Sequence, residues 1–152
     1  MAKEIFAGLA LAVAALPTAS FATEWVHLGE VDSQFGPSRV ELDVDSIRKS
    51  SGSKEIEVLR YEILHSKVRS GWFRVSFKPV IIEGQKMSSG LMRININCNS
   101  SLVQTEAMIV YEGARGTGKR LGATDPDSIN LWTDIVPDSL QDLARHELCQ
   151  YD

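Results

Sequence analysis

Cysteine is scarce in this chain, with 2 residues in 152, and aromatic residues make up only 7% of it. So few cysteines exclude the disulfide-dense scaffolds that stand in for a core in small secreted domains. Long apolar runs are also missing. The longest, Ile5 to Leu16, has about a dozen residues, whereas a membrane-spanning helix needs roughly 20, so no membrane span is expected. Positive charge shows no excess: 16 Lys+Arg stand against 20 Asp+Glu, a net charge of −4. A dedicated nucleic-acid binder has a basic footprint, and this chain does not.

Signatures of chemistry are absent too. There is no GxSxG nucleophile elbow, and His27, His65 and His146 form no HExxH or other ligand spacing. Asp43-Val-Asp45-Ser46 and Asp125-Pro-Asp127 lack the glycine and distal glutamate of a calcium loop, which leaves them turn and cap roles. Gly113-Ala-Arg-Gly-Thr-Gly118-Lys119 matches most of the phosphate-cradling GxxxxGK pattern. Arg120 follows where magnesium coordination needs Ser or Thr, and no helix N-terminus comes next to hold a phosphate. That stretch reads as a flexible loop. No catalytic set, cofactor site or metal site is expected, and the chain does not read as an enzyme.

What is present begins at the amino terminus. A polar start, the Ile5–Leu16 apolar run, Pro17 and small residues ending Ser20-Phe21-Ala22 have the layout of a secretory signal. Cleavage after Ala22 releases a single domain, Thr23–Asp152, of ordinary size. Lys3 and Glu4 leave together, so the charge balance is unchanged. No cysteine follows the cleavage site to carry a bacterial lipid anchor. The expected location is exported, in the periplasm or at the cell surface.

Both cysteines, Cys98 and Cys149, lie in the mature part, and an even count in an oxidising compartment reads as a disulfide. The competing reading sets Cys149 beside His146, as a thiolate pair or as metal ligands.

Period-two alternation marks strands. Met92, Ile94, Ile96 and Cys98 share one side, with Arg93, Asn95 and Asn97 on the other. Val103, Thr105, Ala107, Ile109 and Tyr111 alternate next, which predicts a hairpin. Phe73, Val75 and Phe77 alternate with Arg74, Ser76 and Lys78. Glu55–Leu64 reads as a strand with a bulge near Val58, while Trp25–Val31 and Val40–Val44 are weaker strand candidates. Ser50–Ser53 and Glu83–Gly90 read as turn or loop. One helix is expected near the end: Asp138 or Ser139 offers an N-cap, and Leu140, Leu143, Ala144 and Leu148 form an apolar stripe. Cys149 falls roughly opposite that stripe on an ideal helix, so it reaches Cys98 only if the helix frays or ends near Leu148. The predicted fold class is α+β, an antiparallel sheet with a C-terminal helix packed on one face. Trp25, Trp72 and Trp132 read as core residues, with Trp72 the one expected at the surface.

The long, weakly periodic stretch Gly113–Asn130 carries Arg115, Lys119 and Arg120 in an otherwise acidic protein. These three are the candidate partner-binding residues, because a basic patch can dock an acidic partner or glycan. The plainer reading is a charged, solvated loop. Asn99-Ser-Ser101 is a formal glycosylation sequon.

Trp25, the run Leu42-Asp43-Val44-Asp45-Ser46-Ile47-Arg48, Cys98, and Tyr111-Glu112-Gly113 leading into Gly116 and Gly118 are followed by Trp132, Ile135, Pro137, Ser139 and Cys149. In order and spacing this series resembles the bacterial surface-adhesin E family. The resemblance implies an antiparallel sheet with a helix, a bridge between Cys98 and Cys149, and a surface or periplasmic location. It also implies a protein partner, host matrix or envelope, and a capacity to form homodimers. The family's named member is lipid-anchored, and this chain departs from it in lacking the anchoring cysteine. No binding residues carry over. The function expected is an exported, non-catalytic, adhesin-like binding domain of a Gram-negative envelope; the alternative is a periplasmic inhibitor or accessory protein of an enzyme partner.

Overall fold

A computed structural model describes residues 23–51, 67–124 and 131–151. The segment read as a secretory signal, the Glu55–Leu64 strand candidate, His65, and the Asp125–Asn130 end of the basic loop lie outside those residues. Seven strands and one helix are described: β1 (Trp25–Ser33), β2 (Gly36–Ser51), β3 (Lys67–Ile82), β4 (Gln85–Asn97), β5 (Leu102–Tyr111), β6 (Arg120–Ala123), β7 (Thr133–Asp134) and α1 (Leu140–Leu148). The sheet runs β1-β2-β3-β4-β5-β6 with antiparallel pairing throughout, and β7 pairs with β5 on the edge away from β4.

Register assigns the two faces. Leu42 lies opposite Phe73, and Phe73 opposite Met92; Glu41 lies opposite Arg74, and Arg74 opposite Leu91. Because successive side chains alternate, Leu42, Phe73, Ile94 and Ile96 share the face on which α1 packs. These four, with Ala144 and Leu148 of the helix, are fully buried. Burial of Leu148 stabilises the packing by about 1.5–3 kcal/mol. The helix comes close because Gly71 of β3 has no side chain: a Cβ there would lie 3.1 Å from Leu42 Cδ1 and 3.2 Å from Leu148 Cδ2.

Local chemistry sets the helix ends. Ser139 is the N-cap, its hydroxyl accepting the Asp142 N–H at 3.3 Å. The Asp142 carboxylate accepts from Arg145, and from the Asp138 N–H, and these bonds hold its pKa below the usual aspartate range. The helix ends at Leu148, and Cys149 is its C-cap. Cys149 keeps a helical backbone (φ −79°, ψ −7°), its N–H donating to the Arg145 carbonyl at 3.0 Å, and from the last turn it bonds Cys98, with Cα atoms 5.6 Å apart. Both sulfurs are thus consumed, so the His146–Cys149 thiolate or metal reading is excluded.

Four expectations change. Glu83–Gly90 is not a loop: Glu83 (φ 50°) and Gly84 (φ 77°) form a two-residue turn, and Gln85 opens β4. The apolar signal was hidden there because Ser88 and Ser89 are buried polar residues. The alternation read along β5 breaks, since the register slips from Ala107 opposite Arg93 to Thr105 opposite Ile94. Val103 and Thr105 therefore share the helix face, whereas Ala107, Ile109 and Tyr111 face the other way. The strands at Trp25–Val31 and Val40–Val44 are longer than their apolar patterns, and β2 continues through Ser50 and Ser51. Finally, Gly113–Ala123 is structured, with a turn at Ala114–Gly116 followed by β6.

Candidate functional site

The sheet face away from α1 is polar but not open. On β2, Arg39, Glu41 and Asp43 occupy this face; on β3, Trp72, Arg74 and Ser76 do so. Asp43 and its neighbours make the β2 irregularity: the Asp43 carboxylate accepts the Asp45 N–H at 3.1 Å, and the Ser46 hydroxyl donates to the Asp43 carbonyl at 2.6 Å. The Trp72 N–H donates to that hydroxyl at 2.8 Å, and Trp72 itself is half-buried, between the core and surface readings.

Glu41 is the centre of the face. Its side chain is only 1% exposed, yet it is charged and meets three arginines. Arg74 Nε donates to Glu41 Oε2 at 2.7 Å. Arg115 Nη2 donates to Oε1 at 3.1 Å, and Arg39 Nη2 lies 3.5 Å from that same oxygen. Burial alone would raise the Glu41 pKa. The Arg74 hydrogen bond and the charges of Arg74, Arg115 and Arg39 outweigh it and hold the carboxyl below the usual glutamate range. A buried carboxylate persists as an ion only with such partners. Arg74 is nearly as buried, and its guanidinium carbon sits 4.3 Å from the Trp25 ring centroid, a cation–π contact.

Arg115 reaches this cluster because its loop is folded down onto the sheet. The Arg115 N–H donates to Ser76 Oγ at 3.2 Å, and the Gly116 N–H to Ser89 Oγ at 2.8 Å. The Ser89 hydroxyl donates to the Gly113 carbonyl, and Arg74 Nη1 donates to the Arg115 carbonyl at 3.3 Å. The turn is tight: the Gly113 N–H donates to the Thr117 carbonyl, and a Cβ at Gly113 would lie 2.6 Å from Thr117 Oγ1. Arg115 itself holds a left-handed conformation (φ 56°, ψ 35°) that costs a non-glycine residue of order 1 kcal/mol. Most of the loop is exposed, as a solvated loop would be, but the buried Ser89 hydroxyl and the half-buried Ser76 hydroxyl tie the Arg115 turn to the sheet.

The three candidate partner-binding residues therefore separate. Arg115 joins Glu41. Arg120 opens β6 opposite Tyr111, and Lys119 precedes it; both are exposed, and neither contacts the Glu41 cluster. Arg39, Glu41 and Arg74 were missed from sequence. Arg39 and Glu41, two apart on a strand, do fall on one face by period-two reasoning. Their meeting with Arg74 and Arg115 depends on register and on the loop's fold. Neither is written in local sequence. Among the described residues no group of three or more His, Cys, Asp and Glu could hold a metal ion.

A family model described as surface-adhesin protein E matches residues 25–150, a span that takes in every described strand and the helix. The chain belongs to the surface-adhesin protein E family. Comparison with curated proteins and with solved structures gives no significant match. The family gives this adhesin-like domain a role at the cell surface. Among its described residues no helix is long and apolar enough to cross a membrane.

Proposed function

We propose that the chain is an exported, non-catalytic binding domain of a Gram-negative envelope, cleaved after Ala22 to leave Thr23–Asp152, which engages a protein partner through the polar face of its sheet. The observation that carries this reading is the convergence of Arg39 and Arg115, 47% and 59% exposed, on one oxygen of the buried Glu41. Three cations on one anion give these four residues a net charge of about +2, while Glu30, Asp32 and Asp43 lie on the same face around them. Such local excess steers acidic partners to one face. Family membership supports a host-matrix or envelope protein as that partner.

The alternative, a periplasmic inhibitor working through a protruding loop, gains no support from Gly113–Ala123, which is hydrogen-bonded to the sheet. The test is a binding screen of the exported protein against matrix proteins and envelope extracts. Saturable capture that weakens in Arg39→Glu and Arg115→Glu supports the reading. Silence across both panels, or capture indifferent to both substitutions, contradicts it.

A further inference from the structure

The guanidinium groups of Arg39 and Arg115 are only partly used by Glu41. An arginine carries five N–H donors in a planar fork. Arg115 spends one Nη2 on Glu41 Oε1, and Arg39 brings one Nη2 near the same oxygen. Among the described contacts their other donors meet no acceptor, and about half of each side chain faces solvent. Beneath them, Arg74 Nη2 is buried without a protein acceptor. Two like charges drawn to one oxygen repel each other, and Glu41 neutralises only one of the three guanidinium groups in contact with it. Glu30, opposite Arg39 on β1, forms no ion pair with it. An outer carboxylate bridging Arg39 and Arg115 would relieve that repulsion from the solvent side, as Glu41 does from within, through charge-assisted hydrogen bonds.

The site is also built in advance. Arg74 is clamped between Glu41 and Trp25, and the Arg115 backbone is pinned by Ser76 and Ser89. The turn that presents Arg115 is therefore ordered before a ligand arrives, which lowers the entropic cost of binding there. We propose that Arg39 and Arg115 form a carboxylate clamp that seats an Asp or Glu side chain from an acidic segment of a protein partner. The proposal rests on the reading of this face as the binding surface and names the chemistry the face recognises.

Direct NMR of the arginine Nε–Hε signals of the exported protein, titrated with a hexaglutamate peptide at physiological ionic strength, tests it. Saturable shifts are expected at Arg39 and Arg115, with no shift at the exposed Arg48. Arg39→Gln and Arg115→Gln should each weaken the peptide at least tenfold (about 1.4 kcal/mol), and Lys119→Gln less than twofold. A parallel titration with sodium sulfate at matched ionic strength separates the ligand classes. Sulfate shifting the same two signals with equal or higher affinity would overturn the acidic-peptide assignment in favour of a sulfated ligand. Uniform shifts at every exposed arginine, or none, would overturn the clamp altogether. The two readings fail separately. A partner whose capture weakens in Arg39→Glu and Arg115→Glu, with hexaglutamate shifting neither arginine, sinks the clamp alone, while peptide binding without any protein partner sinks only the adhesin-like role.

Discussion

Replacing the Glu41 carboxylate by an amide removes the charge that compensates the buried Arg74 and leaves Arg39 and Arg115 to repel each other. Glu41→Gln is expected to lower folding stability by about 3–5 kcal/mol, the usual effect of breaking one partner of a buried ion pair, read by denaturant unfolding. Glu41 also sets a pH dependence. Its folded pKa lies below its unfolded value, so the unfolded chain binds the proton more readily and stability rises with pH through the acid range. The contribution is complete above the ordinary glutamate range and is lost as pH falls below about 4 through the folded pKa. Unfolding midpoints measured from pH 3 to 6, about three units across the window, should slope less steeply in Glu41→Gln than in the parent. An identical slope would show that the carboxylate is not held in its charged form. None of this was visible as a motif. Arg74 sits in an alternating Phe-Arg-Val strand, where period-two reasoning sends it to solvent. The Arg115 turn and Trp25, distant in sequence, cover it instead.

At the scale of elements, the C-terminal helix was legible almost to the residue. A Pro-Asp-Ser start, the Leu140, Leu143, Ala144, Leu148 stripe and the cysteine just past its end are local signals with local causes. Ser139→Ala should cost about 1 kcal/mol through loss of the cap, seen as a lower unfolding midpoint. Gly71→Ala tests the close approach of helix and sheet. The new methyl must displace Leu42 or Leu148, so a loss of about 1–3 kcal/mol is expected, with the disulfide still formed. A stabilised variant would show slack at that contact. The bridge closes a loop of sequence separation 51, and chain-entropy arithmetic sets its removal in Cys98→Ala/Cys149→Ala at roughly 4 kcal/mol. The sheet was less legible than the helix. The β5 bulge flips three apolar residues to the polar face, and early in β4 Ser88 and Ser89 are buried, Ser89 beneath the Arg115 turn. Strand pairing and loop cover decided both, and neither is a property of a short window of sequence.

Across the whole molecule, charge and covalent structure divide the labour. The helix face carries the core and the disulfide, while the polar face carries an ordered cluster of cations on a chain that is acidic overall. Steering by such a cluster is screened by salt over about 8 Å at physiological ionic strength, so capture of the partner should weaken as salt rises, mainly through a slower on-rate. The family's surface role needs a face free to meet that partner, and the account assigns it to the side opposite α1. The most direct test is arginine-selective chemical labelling of the purified protein, read residue by residue by mass spectrometry, with and without a protein captured in the binding screen. Labelling of Arg39 and Arg115 should fall on complex formation while that of Arg48 and Arg145 stays unchanged. Loss of labelling at Arg145 on the helix, with Arg39 and Arg115 still reactive, would contradict the account.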